Sequence, residues 1–185
     1  MSTVTKGFTV DQYDALVENG ILPETNRFEL IDGRIEEKDM KGPQHRTATE
    51  RTRQAIDRLL PSGWHTSQEA PVRLPNRDGE PEPDVSVIRG TIDDYPDRHP
   101  GPDDVALVVE VTRSTVAKDR ALIPVYDAGG IPIYWIVNIP DRQLEVYTSS
   151  GAIVLTEDQY VDLVIDGQVV GQIAVAELLP RKEVP

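Results

Sequence analysis

The sequence predicts an α/β fold built on a mixed sheet, and three observations lead to this prediction. Two nearly apolar runs, 105–111 and 133–139, are typical of strands that are buried on both faces. A helical pattern over 115–128 lies between them, so the order strand, helix, strand predicts a parallel crossover at the centre of the fold. Short alternating runs flank this unit. We therefore expect a mixed sheet (α+β in character) with an N-terminal helix and hairpin and a β-rich C-terminal tail.

The N-terminal elements follow from a cap and a turn. Thr9, followed three residues later by Gln12, forms a capping-box pattern before a helical run that Gly20 ends. Asp32-Gly33 lies between two short alternating runs, which predicts a hairpin over 28–36.

The middle of the chain predicts one long helix and two strands. Residues 44–60 predict the helix, which Pro61 and Gly63 end. Strands are predicted over 69–74 and 84–88, and the Pro- and Asp-rich segment 90–104 predicts a long loop.

The C-terminal third predicts short strands over 144–148, 152–155 and 168–175, followed by a short helix over 176–179. The length is that of one ordinary domain. We expect a single domain over 1–185, with a core over about 8–148 and a β-rich extension over 149–185.

Composition excludes several classes of protein. The chain has 185 residues, with 32 acidic against 19 basic residues, and therefore a formal charge of −13. This balance excludes a polyanion binder that works by bulk charge, although a local basic face stays compatible with nucleic acid. The absence of cysteine excludes a thiol nucleophile, an iron–sulfur cluster and Cys-ligated zinc. No run approaches the ~20 apolar residues that span a bilayer, so we expect a soluble cytoplasmic protein without a membrane partner.

Two carboxylates at strand ends are the candidate chemistry. Asp84 directly follows Pro83 and begins a predicted strand, and Glu110 lies in an otherwise apolar strand. A buried carboxylate needs a cation, hydrogen bonds or a metal. Two such oxygen ligands suit Mg²⁺ or Mn²⁺. The alternative is that Glu110 emerges at the sheet edge and pairs with an arginine.

Fragments spread over about residues 8–148 resemble the PD-(D/E)XK nuclease superfamily, and within it the Uma-type family assigned to bacterial restriction endonucleases. Pro83-Asp84, followed by Glu110 on an apolar strand, resembles the superfamily signature. The fragments that resemble the Uma-type family are 28–33, 82–87, 108–111, Ser114-Thr115, Asp119-Arg120, Tyr126, 130–132 and 134–137.

The resemblance implies a restriction-endonuclease-like core that hydrolyses DNA. Asp84 and Glu110 match the acids that hold a divalent metal, here Mg²⁺ or Mn²⁺. Glu29 matches a hairpin glutamate of the site, and His45 matches a histidine at the start of the long helix. The residues alone leave other roles open: Glu29 could pair with Arg34 across the hairpin, and His45 could be a cap or a surface group.

The sequence departs from the family at its lysine. Thr112 stands two residues after Glu110, and Leu122 occupies the helical position where a lysine is usual. Lys118 is the candidate replacement, because a regular helix would place it on the same face as Leu122 and Tyr126. The alternative is that Lys118 lies in a frayed first turn and points to water.

Two functions therefore remain. The first is a metal-dependent endonuclease with Asp84, Glu110, Lys118, Glu29 and His45 in its site. The second is a weakened or inactive nuclease fold that serves as a protein-binding or dimerisation module, and a homo-oligomer stays open in either case.

Other charged groups have ordinary explanations. Glu80 and Glu82 are expected to be solvated loop charges. The arginines of the long helix are interleaved with acids, so salt pairs explain them at least as well as DNA contact; they are Arg46, Arg51, Arg53 and Arg58.

Overall fold

The computed structural model describes residues 7–23, 28–114 and 116–182. The helices in this part of the chain are α1 (Val10–Glu18), α2 (Pro43–Asp57), α3 (Val116–Ala121), α4 (Ile123–Gly129) and α5 (Val175–Leu178). The strands are β1 (Phe28–Ile31), β2 (Arg34–Glu37), β3 (Trp64–Ser67), β4 (Val85–Arg89), β5 (Val105–Thr112), β6 (Ile133–Asn138), β7 (Gln143–Thr148), β8 (Gly151–Thr156), β9 (Tyr160–Ile165) and β10 (Gln168–Ala174).

The centre of the fold is a mixed sheet of six strands in the order β3-β4-β5-β6-β7-β8. Strands β5 and β6 are parallel, and the other neighbours in this sheet are antiparallel. Helices α3 and α4 form the crossover between β5 and β6, which confirms the predicted parallel unit. Because β4 and β5 run in opposite directions, the start of β4 lies beside the end of β5.

Both faces of this sheet are covered. On one face, α2 and the β9–β10 hairpin enclose a core that contains Ile56, Trp135 and Leu163, all at most 1% exposed. On the other face, α4 contributes Val125 and Tyr126 to a second core. The two buried faces explain why β5 and β6 read as continuous apolar runs.

The N-terminal predictions are confirmed. Thr9 Oγ1 accepts a hydrogen bond from Gln12 N, and Gln12 Oε1 accepts one from Thr9 N, so the capping box begins α1. The two turn residues Asp32 and Gly33 have φ angles of 47° and 73°, as a two-residue hairpin turn requires. Helix α1 packs Val10 and Tyr13 onto Leu30 of this hairpin.

The strand predicted over 69–74 is wrong, and the strand of this region is β3. Glu69 has a φ of 47°, which turns the chain directly after β3. Beyond this turn, Val72 N donates to Pro81 O and Arg73 N donates to Pro100 O. Leu74 N also donates to Gly79 O, but Pro81 and Pro83 have no N–H to donate back, so the pairing stays an isolated bridge between Leu74 and Gly79 and no strand forms.

The remaining differences concern element boundaries. Pro124 lies in the first turn of α4, and this proline divides the helix predicted over 115–128 into α3 and α4. Thr115 lies outside the described residues. Helix α2 ends at Asp57 and not at residue 60. Strand β9 was missed, although Val161, Leu163 and Ile165 alternate inward as a half-buried strand requires.

The longest described helix, α2, has 15 residues, so no helix in the described ranges is long and apolar enough to cross a membrane.

Candidate functional site

Asp84 and Glu110 lie side by side in the central sheet, where β4 begins and β5 approaches its end. Val85 pairs with Val109 in the antiparallel ladder of β4 and β5, so Asp84 and Glu110 occupy its next position. Both residues line an open cleft of about 160 Å³, which we call the acidic cleft. The charged residues and the histidine that line it are Glu29, Lys38, Asp39, Lys41, His45, Glu82, Asp84, Glu110, Arg113, Lys118 and Asp119.

Asp84 is held as a carboxylate by three donors. Its Oδ1 accepts from Lys41 Nζ at 2.6 Å, and its Oδ2 accepts from Val111 N at 2.7 Å. His45 Nε2 lies 3.0 Å from the same Oδ2. Burial acts to raise the pKa of Asp84, but the hydrogen bond from His45 and the charge of Lys41 outweigh it and lower the pKa below its ordinary value. Asp84 is therefore a fixed negative charge at 2% exposure.

Glu110 has a different environment. Its Oε1 accepts a hydrogen bond from Tyr126 Oη at 3.1 Å. Burial raises the pKa of Glu110 well above its ordinary value, and the negative charges of Asp84, Glu29 and Asp119 raise it further. The negative charges of Asp84 and Glu110 thus repel each other, and a cation placed between the two carboxylates would relieve that repulsion.

The structure brings His45 and Glu29 to the same cleft. His45 lies in the first turn of α2, where its ring is 3.4 Å from Thr49 Oγ1 and faces Asp84. Glu29 Oε2 accepts from Glu82 N at 3.2 Å, and burial raises the pKa of Glu29. The alternative pairing with Arg34 is wrong, because Arg34 pairs with Glu36 at 3.4 Å.

The lysines of the cleft occupy different depths. Lys118 Nζ lies 3.1 Å from Asp39 Oδ2, and the Lys118 side chain is 40% exposed at the rim. Lys41 lies deeper, bound to Asp84 and 3.3 Å from Glu69 Oε1. Burial acts to lower the pKa of Lys41, but Asp84 raises it above its ordinary value. The ammonium nearest to the acid pair is therefore that of Lys41, which sequence reasoning missed.

Lys38 and Asp119 of the cleft are also absent from the predicted site. Lys38 forms an ion pair with Glu82. Burial raises the pKa of Asp119 to about 6, although a hydrogen bond from Thr112 opposes this shift. Lys38 and Lys41 lie between β2 and α2, where no periodic pattern points to a site. Asp119 belongs to the Asp119-Arg120 fragment that resembles the Uma-type family, but the resemblance implied no role for it in the site.

Glu80 and Glu82 are not solvated loop charges, and that prediction is wrong. The side chain of Glu82 is 8% exposed in its pair with Lys38. Glu80 is 4% exposed, with Arg73 Nε at 2.9 Å and His99 Nε2 at 3.7 Å. Prolines 81 and 83 keep this segment extended, but α1 and the β1–β2 hairpin cover it.

Salt pairs account for two of the four arginines of the long helix. Arg53 pairs with Glu50 at 2.9 Å and also with Asp57. Arg58 pairs with Glu177 at 2.6 Å. These contacts favour a structural role for both arginines.

The charge balance of the cleft fits a divalent cation. With all groups ionised, its described lining carries six carboxylates against four lysine and arginine cations, an excess of two negative charges. Carboxylate oxygens are the ligands that Mg²⁺ and Mn²⁺ prefer. In the part of the chain that the structure describes, no three His, Cys, Asp or Glu side chains already converge as a metal cage. Lys41 and His45 hold the Asp84 oxygens instead, so a cation would take the place of the Lys41 contact.

Comparisons with known proteins identify the family and the fold of the chain. A search of curated proteins gives no match. Among solved structures, the chain is similar to a protein from Anabaena variabilis described as "a putative nuclease belonging to DUF820". The TM-score is 0.69 at 17% identity over 92% of this chain and 97% of that one, which shows a shared fold. The family model Uma2, described as "Putative restriction endonuclease", matches residues 10–174. The chain therefore belongs to the Uma2 family and has a restriction-endonuclease-like fold.

Proposed function

We propose that this protein is a divalent-metal-dependent nuclease that hydrolyses phosphodiester bonds of DNA. The observation that carries the proposal is the pair of neighbouring acids Asp84 and Glu110 on adjacent strands. They lie in a cleft with an excess of two negative charges. Membership of the Uma2 family supports the reaction class.

In this proposal, Asp84 and Glu110 hold Mg²⁺ or Mn²⁺. The ion supplies Lewis acidity toward a phosphoryl oxygen and makes water a stronger nucleophile near neutral pH. His45 orients Asp84 through its contact with Oδ2. Tyr126 donates to Glu110 and fixes the second carboxylate. Glu29 adds negative charge to the same cleft, which strengthens its attraction for a cation.

The proposal also needs a positive charge close to the acid pair, and two lysines are candidates for it. Sequence reasoning assigns this role to Lys118, and the structure offers Lys41 as a second candidate, closer to the acid pair. Lys41 is 27% exposed and lines the cleft, so its ammonium is accessible to a phosphate oxygen. An ammonium placed where charge develops stabilises the transition state. We assign this role to Lys41 and leave Lys118 at the rim, where it offsets Asp39 and attracts substrate.

One observation favours a second candidate function. Both oxygens of Asp84 already have protein donors, so the site is satisfied without a metal. A non-catalytic module of the same fold would keep this arrangement permanently.

A plasmid-nicking assay separates the two functions. Wild-type protein with Mg²⁺ or Mn²⁺ should convert supercoiled DNA to nicked or linear forms, and EDTA should stop the reaction. Asp84→Asn and Glu110→Gln should each remove the activity. Glu177→Gln, an exposed acid outside the cleft, is the matched control and should cleave normally. Equal and metal-independent cleavage by all variants, or no cleavage by any, would contradict a nuclease of this design.

A further inference from the structure

A second surface depression, adjacent to the acidic cleft, is lined by positive charge. We call it the basic pocket, and its described lining is Gln44, Arg113, Ile139, Pro140, Arg142, Pro180, Arg181 and Lys182. Four of these residues are cationic, and the described lining contains no carboxylate. Such a concentration is unusual in a chain whose net charge is −13. Attraction for a polyanion must therefore be local, and this pocket offers it.

The four cations of the pocket come from three separated segments. Arg113 follows β5, Arg142 lies in the β6–β7 turn, and residues 180–182 follow α5. Arg142 Nη1 donates to Pro180 O at 3.2 Å, which ties the C-terminal segment to the turn. Ile139 N donates to Thr112 O at 3.0 Å, which ties the turn to the end of β5. The backbone segments that carry the four cations are thus tied to one another.

Two of the four cations are available to a ligand. Arg142 and Lys182 share Glu157, which lies 3.1 Å from Lys182 Nζ. Arg113 and Arg181 are exposed and form no ion pair with the described residues. A guanidinium without a carboxylate partner keeps its full set of donors for a planar oxyanion or a phosphate.

Arg113 also connects the basic pocket to the acidic cleft, because it lines both. Its guanidinium lies against Gly42, the residue before α2, where a β-carbon would lie 2.6 Å from Nη1. Any side chain at position 42 would therefore push Arg113 away from this position. The two depressions therefore share the Arg113 side chain at their boundary.

We propose that the basic pocket binds a backbone phosphate of the nucleic acid whose neighbouring phosphodiester group lies in the acidic cleft. The inference rests on the proposed nuclease function for the cleft, but it assigns a separate binding surface. The contact recognises phosphate and not bases, so it positions the strand without specifying sequence. Arg113 and Arg181 carry the interaction.

The test measures duplex DNA binding in EDTA as a function of salt. Loss of two phosphate contacts should make the slope of log K against log[salt] shallower by about two, at about 0.9 per contact. We therefore expect Arg113→Gln/Arg181→Gln to bind a labelled duplex about tenfold or more weakly at low salt than wild type. The control Arg34→Gln/Arg58→Gln removes the same charge from exposed positions outside the pocket and should leave the slope unchanged. Thermal melting shows whether each variant is folded.

The outcomes separate this inference from the proposed catalytic activity. Asp84→Asn removes one negative charge from the acidic cleft, so it should lose cleavage while it binds the duplex in EDTA at least as tightly as wild type. If no variant cleaves DNA but the arginine pair still governs binding, the nuclease proposal fails and the pocket assignment stands. If the arginine pair and its control bind alike, or wild-type protein does not bind the duplex at low salt, the pocket assignment is wrong.

Discussion

Two glutamates in the same row of the central sheet have opposite environments. Glu110 of β5 and Glu145 of β7 both pair with Ile136 of the strand between them, so their side chains lie on one face. Glu145 is 1% exposed and accepts from both Arg120 Nε and Nη2, at 2.8 and 2.7 Å, and from Tyr147 Oη at 2.6 Å. Among the described residues, Tyr126 alone donates a hydrogen bond to Glu110, and three carboxylates lie nearby.

The two pKa values follow from these partners. Burial acts to raise the pKa of Glu145, but the hydrogen bonds from Arg120, Tyr147 and Asn138 outweigh it and lower the pKa. At Glu110, burial and neighbouring negative charge act in the same direction, and the pKa rises. A carboxylate in an apolar strand is thus structural where the protein supplies its donors, and is suited to an external cation where it does not.

The largest expected effect is on stability at Glu145. Glu145→Ala should lower the free energy of unfolding by about 3 kcal/mol, because it removes a buried acceptor from Arg120, Tyr147 and Asn138. Urea unfolding measures this loss. Glu177→Ala, at an exposed pair with Arg58, should cost less than about 1 kcal/mol. Equal losses at the two positions would show that the Glu145 network is not structural.

Substitution of two lysines tests which of them acts in the acidic cleft. Lys41→Met should lower the rate of DNA cleavage about 10²-fold, as loss of one group that stabilises transition-state charge does. Lys118→Met should lower it less than about tenfold, because its ammonium lies at the rim. The affinity for Mn²⁺ should not fall in Lys41→Met, since the change removes a positive charge beside Asp84. If Lys118→Met lowers the cleavage rate more than Lys41→Met, the assignment of the catalytic lysine to Lys41 is wrong and the sequence-based assignment to Lys118 is correct.

Removing one tyrosine hydroxyl beside each glutamate tests the same comparison with a smaller change in structure. Tyr147→Phe should cost about 1–2 kcal/mol, because hydrogen bonds to an ionised acceptor are worth more than neutral ones. Tyr126→Phe should cost less than about 1 kcal/mol, because burial and the neighbouring carboxylates raise the pKa of Glu110 and so disfavour its charged form, which is the stronger acceptor. Thermal and urea unfolding both report the difference. A larger loss of stability in Tyr126→Phe than in Tyr147→Phe would contradict the environments assigned to Glu110 and Glu145.

The smallest expected effect is on the metal-free stability of Glu110→Gln. A neutral amide replaces a carboxyl group whose charged form is disfavoured by burial and by three neighbouring acids, so stability should stay the same or rise by up to about 1 kcal/mol. The melting temperature without divalent ions checks this. A clear loss of stability would mean that Glu110 is a structural residue like Glu145.

Sequence patterns predicted strands β4 to β8 of the central sheet because their signals are local. Apolar runs over β5 and β6 and the Asp32-Gly33 turn each specify their own element. The strand predicted over 69–74 was wrong because Glu69 takes a left-handed turn that no periodicity reveals. Strand β9 alternates clearly and was detectable.

The candidate site was predictable only in part. Asp84 and Glu110 stand out because a carboxylate at an apolar strand end is costly, and His45 and Glu29 followed from the family resemblance. Lys41 could not be found this way, because it lies in a loop and reaches Asp84 across 43 positions of the chain. The same limit applies to Glu145, whose structural role depends on Arg120, 25 positions away. Partners distant in sequence decide which carboxylate is satisfied.

Calorimetric titration of Mn²⁺ into wild-type protein, Glu110→Gln and Glu145→Gln tests the central claim most directly. Our account predicts one Mn²⁺ site in wild-type protein that is weakened at least about tenfold in Glu110→Gln, since one of two carboxylate ligands is lost. Glu145→Gln should bind Mn²⁺ as wild type does, provided that melting shows it to be folded. No Mn²⁺ binding by wild-type protein, or equal affinity in all three proteins, would contradict a metal site at Asp84 and Glu110.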